Sequence, residues 1–298
     1  MEASSATPAI SLKSTGRSRR RKRINWIWQS FSVGAAFFAI AILALVVVSV
    51  LVRGIKALNL DFFTKSQVTF GETGGGIANG LVGTAIIVAI ATAITLPVGI
   101  LVAVYVAEFG GSRVSHLIRL ALDVLNGVPS IVVGIFAYAL LVVGSGYAAW
   151  KGSVALSIVM LPVVARSTIE VIGLVPDSLR EGSYALGISK WRTVLFVVMP
   201  AAIGAIMTGA TLAVARAAGE TAPLLFTTSI FLPNQVVTDP SHAMAAVPLL
   251  ILFDSESPDP SLNDQAWAAA FVLMIFVLVL SLSARYVLAR RERKLRAR

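Results

Sequence analysis

Six stretches of this chain stay mainly apolar for about 20 residues or more, the length that carries a helix through a bilayer. They cover roughly 30–52, 78–105, 117–145, 152–173, 196–217 and 266–288. Hydrocarbon offers no hydrogen-bond partner, so a run of this kind is stable there only if its own helix satisfies its backbone. The pattern therefore predicts an all-α integral membrane protein with six transmembrane helices. Composition agrees: 57% of the 298 residues are apolar and only 13% charged, against roughly 25% charged in a soluble domain. No soluble core hides that much apolar surface, which excludes a soluble two-domain enzyme.

The position of the charge matters more than its sum of +10. Lys13, Arg17, Arg19, Arg20, Arg21, Lys22 and Arg23 precede the first span, and seven more basic residues fall in 285–298. Both clusters border apolar segments, so they read as topology signals and lipid contacts, with no nucleic-acid partner. Under the positive-inside rule both termini are cytoplasmic, as an even number of spans allows. The connections after spans two and four, with Arg113, Arg119, Arg180, Lys190 and Arg192, then face the cytoplasm. The long segment 218–265 faces outward and contains no Lys or Arg. Arg53, Lys56 and Lys65 run against the rule, but the two terminal clusters outweigh them. Trp26, Trp28, Trp150, Trp191 and Trp267 sit at span ends, where interfacial anchors belong.

The domain organisation that follows is a disordered basic tail over 1–24, a first span and outer segment over 25–75, a transmembrane domain over 76–290 with a cytoplasmic loop at 175–193, and a basic tail over 291–298. Within the outer segment, Leu224–Leu232 and Ala243–Phe253 are apolar but too short to span, which predicts re-entrant or interfacial pieces. Gly74, Gly75 and Gly76 resemble a phosphate loop only superficially and read as a flexible lead-in to span two. No GxxxxGK[ST] occurs, so nucleotide is not bound here by a P-loop. Cysteine is absent, and His116 and His242 have no metal-ligand spacing, so neither a metal nor a cofactor is called for.

Ionisable residues within spans are costly and default to functional candidates. Arg166 with Glu170 and Arg216 with Glu220 share i,i+4 spacing, which predicts that each arginine lies beside its glutamate on one helix face. A guanidinium offers a planar fork of donors, suits an oxyanion bidentately and keeps its charge. The glutamates would accept from the arginines when the path is empty, or reject anions that carry no proton. The plainer alternative is that each glutamate only neutralises its arginine for insertion. Pro97, Pro129, Pro162 and Pro200 fall in spans, where kinks are tolerated if the helix is packed or water-lined; Pro200 equally suits a first helical turn.

The loop Val175–Arg192 is the most informative stretch. Pro176 starts a short helix, Glu181-Gly182-Ser183 presents small residues after an acid, Gly187 ends it, and Pro200 follows thirteen residues later. This resembles the EAA loop of bacterial ABC importer permeases, with Gly182 and Ser183 in place of the two alanines. Leu212–Leu225, containing Arg216-Ala217-Ala218-Gly219-Glu220-Thr221-Ala222-Pro223, is similar to the permeases of the phosphate-specific (Pst) importer. So are Asn126–Gly134 and Ala165-Arg166-Ser167-Thr168 leading to Glu170. These matches cover roughly residues 75–230 and fit the A-type subunit better than its C-type paralogue. The acidic stretch Asp254–Asp264 departs from the pattern.

The resemblance implies a MetI-like ABC importer permease fold and ATP-driven translocation of inorganic phosphate by alternating access. It also implies a homologous C-type permease subunit, a cytoplasmic P-loop ATPase dimer and an extracytoplasmic phosphate-binding protein as partners. Glu181, Gly182, Ser183 and Gly187 would dock the ATPase, and Arg166, Glu170, Arg216 and Glu220 would line the substrate path. A secondary anion transporter should show an internal repeat of broken helices, a membrane enzyme needs catalytic clusters, and neither is visible. An importer of sulfate or molybdate is the closer rival.

The orientation is open to direct measurement because the chain contains no cysteine. A single cysteine introduced at 186 or at 296 is expected to resist a membrane-impermeant thiol reagent added from outside and to react once the membrane is opened.

Overall fold

A computed structural model describes residues 16–68, 74–111, 113–228 and 235–296. The chain divides into two units, residues through Leu51 and residues from Val52 onward. The first consists almost wholly of helix α1 (Gly16–Gly54). It begins inside the stretch read above as a disordered tail, so the basic run Arg17–Arg23 is helical. Arginine and lysine are good helix formers, and neither proline nor glycine interrupts 17–33. Residues 1–15 lie outside the described residues.

The second unit follows as α2 (Leu60–Thr64), α3 (Ala78–Glu108), α4 (Arg113–Gly127), α5 (Ser130–Ala137), α6 (Ala149–Gly173), α7 (Asp177–Ala185), α8 (Lys190–Thr193), α9 (Met199–Ala218), α10 (Ala222–Thr227), α11 (Val247–Ser255) and α12 (Pro260–Arg296). A widened π turn extends α5 through Val142, and another, Val194–Val198, joins α8 to α9. Among the described residues, five helices are long and apolar enough to cross a membrane, or six if one bent pair counts as a span. The basic tail predicted over 291–298 is helical as far as Arg296.

That bent pair corrects the third predicted span. The segment 117–145 is not one helix but α4 and the α5 segment meeting at 98°. Pro129 disfavours helical backbone at Val128, and Gly127 adds a weak helix former at the same place. Arg119 and Asp123 also lie within α4, so half of that segment is amphipathic.

The core forms where α3 runs along α6 and α9 closes on both, with Ile87, Leu156, Met160, Ala213 and Leu249 buried together. The outer segment is folded onto this core. The residues from Met244 to Leu250 are all buried, and the first free amides of α6 donate to it. Ala148 N–H reaches the Thr227 carbonyl (3.3 Å), Ala149 that of His242 (2.9 Å) and Trp150 that of Pro240 (3.0 Å). The helices α10 and α11 are the short apolar pieces expected at Leu224–Leu232 and Ala243–Phe253, although 229–234 lie outside the described residues.

The glycine run before α3 is not a flexible lead-in at its inner end. Gly76 and the next two residues donate to the carbonyls of Ser66, Phe62 and Lys65, at 3.1, 2.8 and 3.0 Å. A Cβ on Gly76 would fall 2.4 Å from the Phe62 carbonyl oxygen. Of the basic residues that run against the positive-inside rule, Lys65 pairs with Asp61 at 2.7 Å and Arg53 lies 4.8 Å over the Trp267 ring.

One carboxyl in the outer segment is buried without a charge partner. Asp254 is 2% exposed; Gln67 Nε2 donates to its Oδ1, while Oδ2 has no hydrogen-bond partner. Burial pushes its pKa up to about 7, against the ordinary 3.8, with the Gln67 bond acting the other way. The folded state therefore holds this proton through a pH range where the unfolded chain releases it. Its contribution to stability is fully present below about pH 4 and is lost as the pH rises towards 7. Detergent-solubilised protein is expected to melt at lower temperature at pH 8 than at pH 5. The part due to this group is at most about 4 kcal/mol and should disappear in Asp254→Asn, as melting curves of the two proteins at both pH values will show.

Candidate functional site

Helix α6 carries the candidate path. Leu156, Val159, Met160 and Val163 line a shallow crevice with Ala213, Arg216, Ala217 and Glu220. One turn further along the same helix, Arg166, Ile169 and Glu170 line a cavity of about 230 Å³ with Arg119, Leu122 and Asp123 of α4. After Met160 these α6 positions recur at steps of three, so the lining turns round the helix as it passes from crevice to cavity. The crevice and the cavity are thus successive stations along α6, at neighbouring levels.

The ion pairs differ from the i,i+4 expectation. Arg166 donates through Nη2 to Asp123 Oδ1 of α4, not to Glu170. Glu170 lies on the wall of the same cavity, so the site holds two arginines and two carboxylates. In the other pair, α9 ends at Ala218 with Gly219 as its cap, so Glu220 is off the helix and the four-residue register is broken. Among the described residues, Arg216 and Glu220 make no ion pair within 4 Å.

Exposure indicates what faces these positions. Arg166, Glu170 and Arg216 are all exposed although they belong to helices that cross the membrane. Lipid cannot solvate such groups, so they face water or another protein surface. The cavity has the chemistry for a small oxyanion: guanidinium donors for its charge, and carboxylates that accept from an acidic proton but repel an anion without one. Asp123 was missed because the segment around it was read by its apolar length, and Arg119 because it was read only as a topology signal. The rule that a charge inside a span is a functional candidate would have found both.

The loop 175–193 folds as its sequence requires. α7 starts after Pro176 and closes in a Schellman motif: Ile188 N–H donates to the Ser183 carbonyl (3.2 Å) and Gly187 N–H to that of Tyr184 (2.9 Å). Gly187 has φ +74°, which explains why a residue without Cβ stands there. Glu181, Gly182 and Gly187 are exposed, and a Cβ on Gly182 would meet nothing within 4 Å. Ser183, expected beside them on the docking surface, lies differently. It is 6% exposed, and its hydroxyl is bonded to Thr193 Oγ1 at 2.8 Å, so it ties α7 to α8 inside the chain.

Residues 95–296 match the model of the family described as "Binding-protein-dependent transport system inner membrane component". The chain belongs to this family. It is therefore a membrane component of a transport system and not an enzyme. Among its relatives is the phosphate transport system permease protein PstA of Pasteurella multocida (strain Pm70), 38% identical over 89% of this chain and 94% of that protein. The protein of the same name from Yersinia pestis is 36% identical over 92% and 95%. PstA 1 of Mycobacterium tuberculosis (strain ATCC 25618 / H37Rv) is 39% identical over 74% and 72%. Among solved structures, the inward-facing MetNI methionine ABC transporter superposes with a TM-score of 0.56 at 16% identity, over 72% of this chain and 93% of its own. A bacterial ABC transporter that imports the acidic polysaccharide alginate gives 0.61 at 12% identity, over 92% and 99%. These two likenesses establish an ABC importer permease fold.

The altered ion pairing is measurable. In a double-mutant cycle on the purified protein, Arg166 and Asp123 are expected to couple by about 0.5–1 kcal/mol, as for a half-exposed pair. Arg166 and Glu170 should couple by much less; denaturation midpoints of Arg166→Gln, Asp123→Asn, Glu170→Gln and the two doubles decide this.

Proposed function

We propose that this chain is the A-type permease subunit of an ATP-driven importer of inorganic phosphate. The observation that carries the reading is the charged stripe on α6 and α9, left open in a single chain whose relatives are phosphate permeases over nearly their full length. A second, homologous permease subunit of C type would face this stripe and close a polar path between the two chains. A cytoplasmic P-loop ATPase dimer would supply the energy, and an extracytoplasmic phosphate-binding protein would deliver the ion at the outer segment. Both termini and α7 lie on the cytoplasmic side in this arrangement, in the cell membrane.

Phosphate crosses in two stations. Arg216, at the end of α9, meets the ion first with Glu220 beside it. Counting 16 residues from Pro200 at 1.5 Å per residue places Arg216 about 24 Å from the inner end of its helix. Arg166 lies seven residues before Gly173, about 10 Å from the inner end of α6. There phosphate displaces the Asp123 carboxylate from the guanidinium, and Asp123 or Glu170 accepts the phosphate proton. The guanidinium thus exchanges one oxyanion for another instead of losing a partner. Glu181, Gly182 and Gly187 form the surface that meets the ATPase, and ATP binding there opens and closes the path by moving α7.

Arg216→Gln keeps hydrogen-bonding capacity but removes the charge that offsets phosphate desolvation. Cells carrying it are expected to lose at least tenfold in labelled-phosphate uptake at normal protein level. If Arg216 served only to neutralise Glu220, the double change Arg216→Gln with Glu220→Gln would restore transport. The double variant is expected to remain inactive.

A further inference from the structure

We infer that Arg180 and Glu108 form a buried clasp that carries the movement of α7 into the membrane helices, so that losing it separates ATP hydrolysis from transport. The inference rests on the reading of α7 as the helix that meets the ATPase. It concerns how that helix is attached on its other side.

Arg180 makes five hydrogen bonds to three elements. Its Nε and Nη2 donate to Glu108 Oε1 at 3.2 and 2.7 Å, at the last residue of α3. Nη2 also donates to the Ile172 carbonyl (3.0 Å) and Nη1 to that of Val175 (2.7 Å), at the end of α6. Nη1 further holds Asp177 Oδ1 at 2.9 Å, in the first turn of α7. The side chains of Arg180 and Glu108 are 15% and 5% exposed, whereas Asp177 is 86% exposed. The buried part of the network is therefore the link to α3 and α6, and the bond within α7 is peripheral.

The placement is unfavourable for Glu108 alone. A carboxylate at a helix C-terminus meets the negative end of the dipole, and a buried charge needs a hydrogen-bonded partner. Arg180 answers both, since its guanidinium also serves the carbonyls that end α6. A lysine could supply the charge but not the planar fork that reaches three elements at once. Just beneath, Ile172 and Val175 are buried with Val198, Ala202 and Ile206, against which Val104 and Ala107 pack, so a continuous apolar layer joins α3, α6 and α9.

Geometry then gives the direction of transmission. α7 presents Leu179, Glu181, Gly182 and Leu186 outward and turns Arg180 and Ser183 inward. Ser183 holds α8, while Arg180 holds α3 and α6. Ile172 follows Arg166 by six residues, about 9 Å of helix rise. A push on the exposed face of α7 thus reaches the helix that carries the inner station through the short link 174–176 and through Arg180, and it reaches α3 through Arg180 and Glu108. Arg180 and Glu108 are positioning residues in this mechanism and touch no substrate.

The test uses the assembled importer, with its ATPase and binding protein, in proteoliposomes. Arg180→Lys and Glu108→Gln are compared with the unaltered protein for ATPase retention on purification, ATP hydrolysis and phosphate uptake. Both variants are expected to retain the ATPase and at least half of its hydrolysis, while phosphate imported per ATP falls tenfold or more. Should Glu108→Gln fail to accumulate, Arg180→Lys decides alone, because it keeps a cation at the α6 carbonyls and removes only the fork. Unchanged import per ATP overturns the clasp, and so does loss of the ATPase, which would make the pair a docking determinant. Gly182→Arg, on the open outward face, tests the underlying reading separately. Normal uptake in that variant means that α7 does not meet the ATPase, whatever Arg180 does.

Discussion

An interruption of helix at the depth of the hydrocarbon has to be answered by another protein group, because hydrocarbon supplies no substitute for a lost hydrogen bond. The first amides of α6 are answered by carbonyls of the outer segment, at Thr227, Pro240 and His242. The Val247 amide, at the start of α11, is answered by the buried Thr84 hydroxyl at 2.8 Å. The carbonyls that end α2 receive the amides of Ile77 and Ala78, and those that end α6 receive the guanidinium of Arg180. The irregular segments are thereby fastened to the regular ones.

The same constraint governs the charges. Three arginines of the second unit, Arg119, Arg166 and Arg180, each hold an acceptor on a different helix. Arg119 reaches the Val106 carbonyl at 3.3 Å, so two arginines converge on the end of α3. Their exposures separate their roles. Arg180 is enclosed and fixed to several acceptors, which suits a joint. Arg166 is half exposed with one carboxylate, which suits a guanidinium that must exchange partners.

Much of this was legible in the sequence. Length and apolarity located the helices that cross the membrane, and Pro176 with Gly187 placed α7 to within a residue or two. The motif around Glu181 and the run around Arg216 indicated the family that residues 95–296 match. What failed had a common cause. Spacing along one helix predicts neighbours on that helix, but a guanidinium is long enough to choose a partner elsewhere; hence Arg166 takes Asp123 rather than Glu170. Likewise Ser183 is small enough for a docking face, yet only the fold shows that it turns inward to Thr193. The bend at Pro129 was signalled by the proline and overridden by counting apolar residues across it.

The charged stripe on α6 also bears on how such a protein is made. A finished subunit normally shows lipid an inert surface, whereas this one leaves Arg166, Glu170 and Arg216 uncovered. An orphan copy in the bilayer thus carries its own mark of incompleteness, of the kind that membrane quality control can read. Its lifetime would then be set by the supply of whatever covers the stripe, so that stoichiometry is enforced by the very side chains that suit the anion.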